Sequence, residues 1–238
     1  MLHRAGQLFR TDALGPQIGE EGAHFLAAGL EGGAEAHRRP LIQLERLDLS
    51  ANDLRGGVSA LASYIMRNSN LRELNLFNNS VDDGSWVDLM AVLGRASQLT
   101  SLNLGFNNMG VHGAAGLSEA IIRDGGLGNL RELYLGSNDL GDCGACAIAE
   151  GLGYLTRLIR LKLDDNNISA KGMYYLASHL VALTKLSALH LERNPLNEEG
   201  TCHLLFFMPC NKATCYVDHF SSSLHHFADR IVVGQCPD

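Results

Sequence analysis

The sequence predicts an α/β protein built as a curved solenoid, with a parallel β-sheet on the concave face and α-helices on the convex face. Three observations predict it. A pattern Leu-x-x-Leu-x-Leu-x-x-Asn-x-apolar returns six times along the 238-residue chain. Its asparagines are spaced 27, 28, 31, 28 and 28 residues apart, and a fixed period of this size means stacked units rather than one central core. Within each period the apolar residues change from alternation, the mark of a strand with one buried face, to helical spacing.

Taken in chain order, residues 1–40 read as a degenerate N-terminal repeat or cap followed by a connection. Phe9, Asp12 and Leu14 match the end of a strand half with aspartate in the asparagine slot, and Gly22 to Leu30 match a helical half. The repeats fill 41–200. They run Leu44-Leu47-Leu49-Asn52-Leu54, Leu71-Leu74-Leu76-Asn79-Val81 and Leu99-Leu102-Leu104-Asn107-Met109. They continue as Leu130-Leu133-Leu135-Asn138-Leu140, Leu158-Leu161-Leu163-Asn166-Ile168 and Leu186-Leu189-Leu191-Asn194-Leu196. The longer step holds an insertion around Asp124 to Gly128. Helical spacing shows in Ala114, Leu117, Ala120 and Ile121, in Ala147, Ile148 and Leu152, and in Met173, Leu176, Ala177 and Leu180. Residues 201–238 read as a C-terminal cap, with a last edge strand over Thr214 to Asp218 and a capping helix over Ser223 to Val233. An exposed solenoid end must be sealed, so atypical terminal units are expected.

Strand, helix and strand in succession require a parallel sheet. Strands pack about 4.8 Å apart and helices about 10 Å apart, so the helices fan outward and the strands line the inside of the curve. Asn52, Asn79, Asn107, Asn138, Asn166 and Asn194 are expected to be structural. A carboxamide offers two donors and an acceptor on one short side chain, enough to satisfy backbone groups where the chain turns under the next repeat; aspartate lacks the donors.

These units resemble leucine-rich repeats of the ribonuclease-inhibitor type, which have long repeats and true convex helices. Similar arrays occur in NOD-like receptors and in the Ran GTPase-activating protein. The resemblance runs from about Leu8 to Gly200 and implies architecture, not ligand.

Alternation identifies the residues facing the concave side as the expected partner-binding set. They are Arg46, Asp48, Glu73, Asn75, Phe77, Asn103, Phe106, Glu132, Tyr134, Arg160, Lys162, Asp164, His190 and Glu192, with Ser50, Ser101, Gly105 and Gly136 between them. The column Asp48, Asn75, Asn103, Tyr134, Lys162, His190 passes from acidic through neutral to basic. Phe77, Phe106 and Tyr134 give it an aromatic centre of the kind that anchors interfaces.

Other chemistry finds little support. Asp plus Glu (26) exceed Lys plus Arg (19), giving a net charge of −7, which argues against nucleic acid as the partner. The longest apolar run, Leu204 to Met208, is too short to span a membrane. No secretory signal is read at Met1-Leu2-His3-Arg4, so the chain is expected in the cytoplasm with reduced thiols. Cys143-Gly144-Ala145-Cys146 has redox or zinc spacing, but Cys143 aligns with a turn and Cys146 with a small apolar helix position. Cys210, Cys215, His219, His225 and His226 are close enough in sequence for a zinc site, yet lack the gap between ligand pairs; a cap is the expected role, with no metal and no cofactor. No nucleophile elbow or phosphate loop occurs. The expected function is a non-enzymatic protein-interaction scaffold or assembly subunit. The alternative is a GTPase activator resembling the Ran GTPase-activating protein, whose acidic tail has no counterpart in Gln235-Cys236-Pro237-Asp238.

Overall fold

The computed structural model describes residues 8–10, 17–31, 43–123, 126–207, 214–217 and 231–233. Strands and helices alternate along the chain. They are β1 (Leu8–Arg10), α1 (Gly19–Glu31), β2 (Arg46–Asp48), α2 (Val58–Arg67), β3 (Glu73–Asn75), α3 (Asp83–Leu93), β4 (Ser101–Asn103) and α4 (Gly110–Ile122). There follow β5 (Glu132–Tyr134), α5 (Gly141–Leu152), β6 (Arg160–Lys162), α6 (Ala170–Leu180), β7 (Ala188–His190), α7 (Glu198–Phe207), β8 (Thr214–Val217) and β9 (Ile231–Val233). All nine strands form one parallel sheet in sequence order. The middle leucines of six strands stand in one register row, Leu47, Leu74, Leu102, Leu133, Leu161 and Leu189.

The core is a continuous apolar layer between sheet and helices. The leucines of the pattern are buried, each contributing about 2 kcal/mol by leaving water. Against them lie the inner faces of the helices, for example Ala114, Leu117 and Ile121 on α4 and Met173, Leu176 and Leu180 on α6. Helices begin in two ways. α3 is capped by Asp82, which accepts from Ser85 N–H at 2.8 Å, and α6 by Ser169, which accepts from Lys171 N–H at 3.2 Å. α4 and α5 instead open on Gly110 and Gly141, both at φ +59°, where a side chain would be strained.

Six asparagines run as a ladder beneath the turns. Asn138 donates from Nδ2 to its own repeat at Leu135 O (3.1 Å) and to the preceding repeat at Leu104 O (3.0 Å). Its Oδ1 accepts from Asn107 N–H and Met109 N–H, both at 3.1 Å. Asn79 reaches Leu49 O and Leu76 O, and accepts from Asn52 N–H and Leu54 N–H. Asn107, Asn166 and Asn194 repeat this cross-repeat bonding, and Asn52 links the first unit by accepting from Ile18 N–H. The residues flanking five of the six asparagines take left-handed backbone, as at Asn78 and Ser80 or Ser137 and Asp139; at Asn194 only Arg193 does, since Pro195 follows. That geometry curls the chain around the carboxamide.

The C-terminal expectation needs correction. Ile231–Val233, placed at the end of a capping helix, is strand β9, and β8 pairs with it rather than forming the edge. The run Ile-Val-Val is β-branched throughout and prefers a pleated surface. Residues 223–230 lie outside the described residues.

Replacing Asn107 by Ala leaves buried carbonyls and N–H groups without partners. Asn107→Ala is expected to cost about 3 kcal/mol, lowering Tm by about 10 °C. Asn107→Asp should lose nearly as much, because a carboxylate faces the Leu76 and Leu104 carbonyls without a proton to give. A thermal melt of either variant matching wild type would remove the ladder from this role.

Candidate functional site

The open face of the sheet carries charges, and most of them pair across neighbouring strands. Arg10 meets Asp48 (3.5 Å), Arg46 meets Glu73 (3.1 Å), Arg160 meets Glu132 (3.3 Å) and Arg193 meets Asp164 (3.0 Å). Exposed pairs of this kind contribute at most about 1 kcal/mol each. Their effect on recognition is larger, because a charge already answered within the face attracts a guest less. The polarity drift read along the central column is therefore mostly neutralised in place.

Between the paired ends lies a different surface. Gly105 and Gly136 occupy the position that Phe77 and Asp164 fill in the adjacent repeats. A Cβ at Gly105 would stand 3.2 Å from Phe77 Cδ2, and one at Gly136 only 2.7 Å from Asp164 Oδ1. The neighbouring side chains thus lean over a floor without side chains. The result is a hollow of about 600 Å³. Phe77 and Phe106 form one wall, their ring centres 5.9 Å apart and their planes tilted by 38°. Tyr134 forms a second, with Lys162 Nζ 5.9 Å from its ring centre and Arg160 Nη1 donating to its hydroxyl at 3.2 Å. Asp164, Asp165 and Arg193 close the far side.

Two groups here are perturbed. Burial pushes the Asp164 carboxyl above the usual range, reinforced by the negative charge of Glu192 and opposed by Arg193 and Lys162. Its Oδ1 is buried without a hydrogen-bond partner. Burial likewise raises the Tyr134 hydroxyl, against the lowering effect of its bond from Arg160.

The structure brings most of the expected residues onto this face and buries two of them. His190 and Glu192 are buried, at 4% and 5% exposure. Their Nδ1 and Oε1 lie 3.3 Å apart, and His190 keeps the register of Lys162 in the sheet. Three residues absent from the expected set line the hollow: Ser137, Asp165 and Arg193. They share the place just before the asparagine with Phe106, and all four have positive φ. That left-handed step breaks the two-residue alternation and aims a turn residue at the face. Only the aromatic character of Phe106 drew attention to the position. Phe106 is 54% exposed in this conformation, which is costly for a bulky side chain.

Cys146 also departs from expectation. Cys143 and Cys146 both lie on α5 and both are exposed, while Ala145 takes the buried place. Among the described residues no cluster of three His, Cys, Asp or Glu side chains is arranged to hold a metal. The His219, His225 and His226 part of the C-terminal cluster lies outside them, as do Cys210 and Cys236. No helix among the described residues is long and apolar enough to cross a membrane.

Two stability measurements check this reading. Phe106→Gly should be more stable than Phe106→Ala by about 1 kcal/mol, because only glycine is unstrained at that φ; equal melts would show that the position carries no strain. Asp164 has a raised folded-state pKa, so its contribution favours the fold below the ordinary carboxylate pKa of about 4 and is lost as pH rises through the folded value. Asp164→Asn is therefore expected to melt higher than wild type at pH 7. That advantage should vanish near pH 3, where Asp164 is protonated in both folded and unfolded chains.

Comparison with known proteins identifies the unit. The leucine-rich repeat family model matches residues 67–85, 97–118, 129–149 and 155–177. Human NACHT, LRR and PYD domains-containing protein 12 is 34% identical over 147 residues, which is 61% of this chain and 13% of that protein. Bovine Tonsoku-like protein is 38% identical over 88 residues, 37% of this chain and 6% of that protein. The matched stretches are thus small parts of both relatives. An internalin from Listeria monocytogenes overlays with a TM-score of 0.46 at 21% identity, covering 75% of this chain and 48% of that one. Each of the four segments matched by the family model holds one strand, its asparagine turn and the start of its helix, and by that repeated unit this chain carries leucine-rich repeats.

Proposed function

We propose that this chain is a non-catalytic protein-interaction module that docks a partner on the open face of its sheet, centred on the glycine-floored hollow. Leucine-rich repeats commonly serve as protein-interaction domains. The observation that carries the placement is the contrast within the face. Its ends are closed by cross-strand ion pairs, while its middle presents Phe77 and Phe106, 41% and 54% exposed, beside a cavity. Aromatic side chains around a concavity supply the large, low-entropy contact area that anchors protein interfaces.

The partner set proposed is protein, with no nucleic acid and no cofactor, in a scaffold or a subunit of a larger assembly, and the compartment proposed is the cytoplasm. The acidic net charge supports the first of these.

The test is affinity capture of partners by the full chain, followed by measurement of the captured complex with variants. Phe77→Ala combined with Tyr134→Ala is expected to weaken binding by about a hundredfold, since two anchor residues cost roughly 2–3 kcal/mol together. Val87→Ser on α3, 71% exposed on the helical side, should leave it unchanged. The opposite pattern would move the interface to the helices. Stimulation of GTP hydrolysis in a captured GTPase would replace this reading with the activator alternative.

A further inference from the structure

Each helix returns to the next strand through a connection, and these connections line the edge of the sheet opposite the asparagine turns. The residues just before the strands stack by backbone hydrogen bonds. Thr100 N–H donates to Arg72 O at 2.7 Å, Arg131 N–H to Thr100 O at 2.8 Å and Ile159 N–H to Arg131 O at 2.7 Å. The connections that leave α2, α3, α4, α5 and α6 carry six cations: Arg72, Arg95, Arg123, Arg131, Arg157 and Lys185. Their one acid is Asp124, which lies outside the described residues. All six cations are exposed. None forms an ion pair with a described carboxylate, whereas the described arginines of the open face and of the asparagine turns all do.

Three of these side chains lean in the same sense. Arg95 Nη1 reaches Met66 Sδ on α2 at 3.9 Å. Arg123 lies along Gly94, where an added Cβ would stand 3.4 Å from Arg123 Cδ. Arg157 donates to Asn129, which donates in turn to Ser97 O at 2.7 Å. Each rests on the preceding repeat, so the cations form a row along the edge. The helix dipole favours a cation near a helix C-terminus, but the effect fades beyond the last turn. It accounts for Arg95 and Arg123. Arg72, Arg131, Arg157 and Lys185 lie five or more residues past a helix end. Like charges gathered on one edge repel one another, and among the described residues no carboxylate pairs with them.

We propose that this edge binds an acidic segment of a protein partner, laid out in extended form along the return connections. Strands stack about 4.8 Å apart, so Arg72 and Arg131, two repeats apart, stand about 10 Å apart at the backbone, close to the length of three extended residues. Acids of one short segment therefore reach successive cations. The strip is narrow. Glu73 and Glu132 border it at the strand starts, and Glu119 and Glu150 border it in the last turns of α4 and α5. A single extended chain fits between these acids. A nucleic-acid duplex, with one charge per about 1.7 Å of its axis, would lay phosphates against acid on both sides. Single strands are held by stacked aromatic rings as well as by cations, and among the described residues Tyr154 is the one exposed aromatic on this edge. The surface is separate from the hollow on the open face, and the inference does not depend on that hollow.

The probe is fluorescein-labelled octaglutamate, titrated into the full chain at low salt and followed by anisotropy. Saturable binding is expected with a Kd in the micromolar range, weakened at least about tenfold when salt is raised to about 0.3 M. Arg95→Gln combined with Arg131→Gln should weaken the complex by about tenfold. Arg55→Gln combined with Lys171→Gln removes the same charge from the opposite edge and should change Kd by less than about twofold. All four side chains are exposed, so both variants keep the fold. No saturable binding, or equal weakening by the two pairs, overturns the proposal. Tighter binding of an oligothymidylate of matched charge, with the same sensitivity to the Arg95 and Arg131 pair, replaces the acidic segment with nucleic acid. The Phe77→Ala and Tyr134→Ala double variant should bind octaglutamate as wild type does. Weakening there would move the acidic segment to the open face, ending this proposal and leaving that docking face in place.

Discussion

The structure depends on one hydrogen-bonding problem solved six times. At the end of each strand the chain must turn inward under its neighbour, where water cannot reach the backbone. A single carboxamide bridges two consecutive repeats there, donating to carbonyls of both and accepting N–H groups from the earlier one. Because each asparagine binds the unit before it, the ladder transmits register from repeat to repeat. The leucines stand in straight rows because the turns that follow them are tied at fixed spacing.

That constraint also decides where variation is allowed. The leucines are committed to the core and the asparagines to the turns, so specificity is left to residues on the open face and to the step just before each asparagine. Most charged residues on the face answer one another across strands. What remains uncommitted is the middle, where two consecutive repeats carry glycine and the neighbouring side chains overhang the gap. A carboxylate held there above its ordinary pKa and an aromatic ring held on left-handed backbone are both unfavourable to folding. Groups retained against stability are common where a surface is shaped for binding.

The leucine-rich repeats explain the stacking and leave recognition open. The matched relatives are far longer than the matched stretches. Partner chemistry resides in positions that the grammar does not dictate, and these distinguish one array from another.

The fold was legible in the sequence because its determinants are local and periodic. Leucine spacing declares strand and helix, and asparagine spacing declares the unit. Alternation also placed Arg46, Glu73, Phe77, Tyr134 and Lys162 on the open face, since a strand side chain has only two directions. It failed where the backbone stops being a strand. Ser137, Asp165 and Arg193 reach the face through positive φ, which the sequence does not advertise in residues other than glycine. His190 and Glu192 are buried although His190 is in phase with Lys162, because burial is set by neighbours and not by phase. The sequence by itself determined what repeats; tertiary structure decided which charges cancel and which hollow stays open. Those depend on side chains about 28 residues apart meeting across strands, and no local pattern carries that pairing.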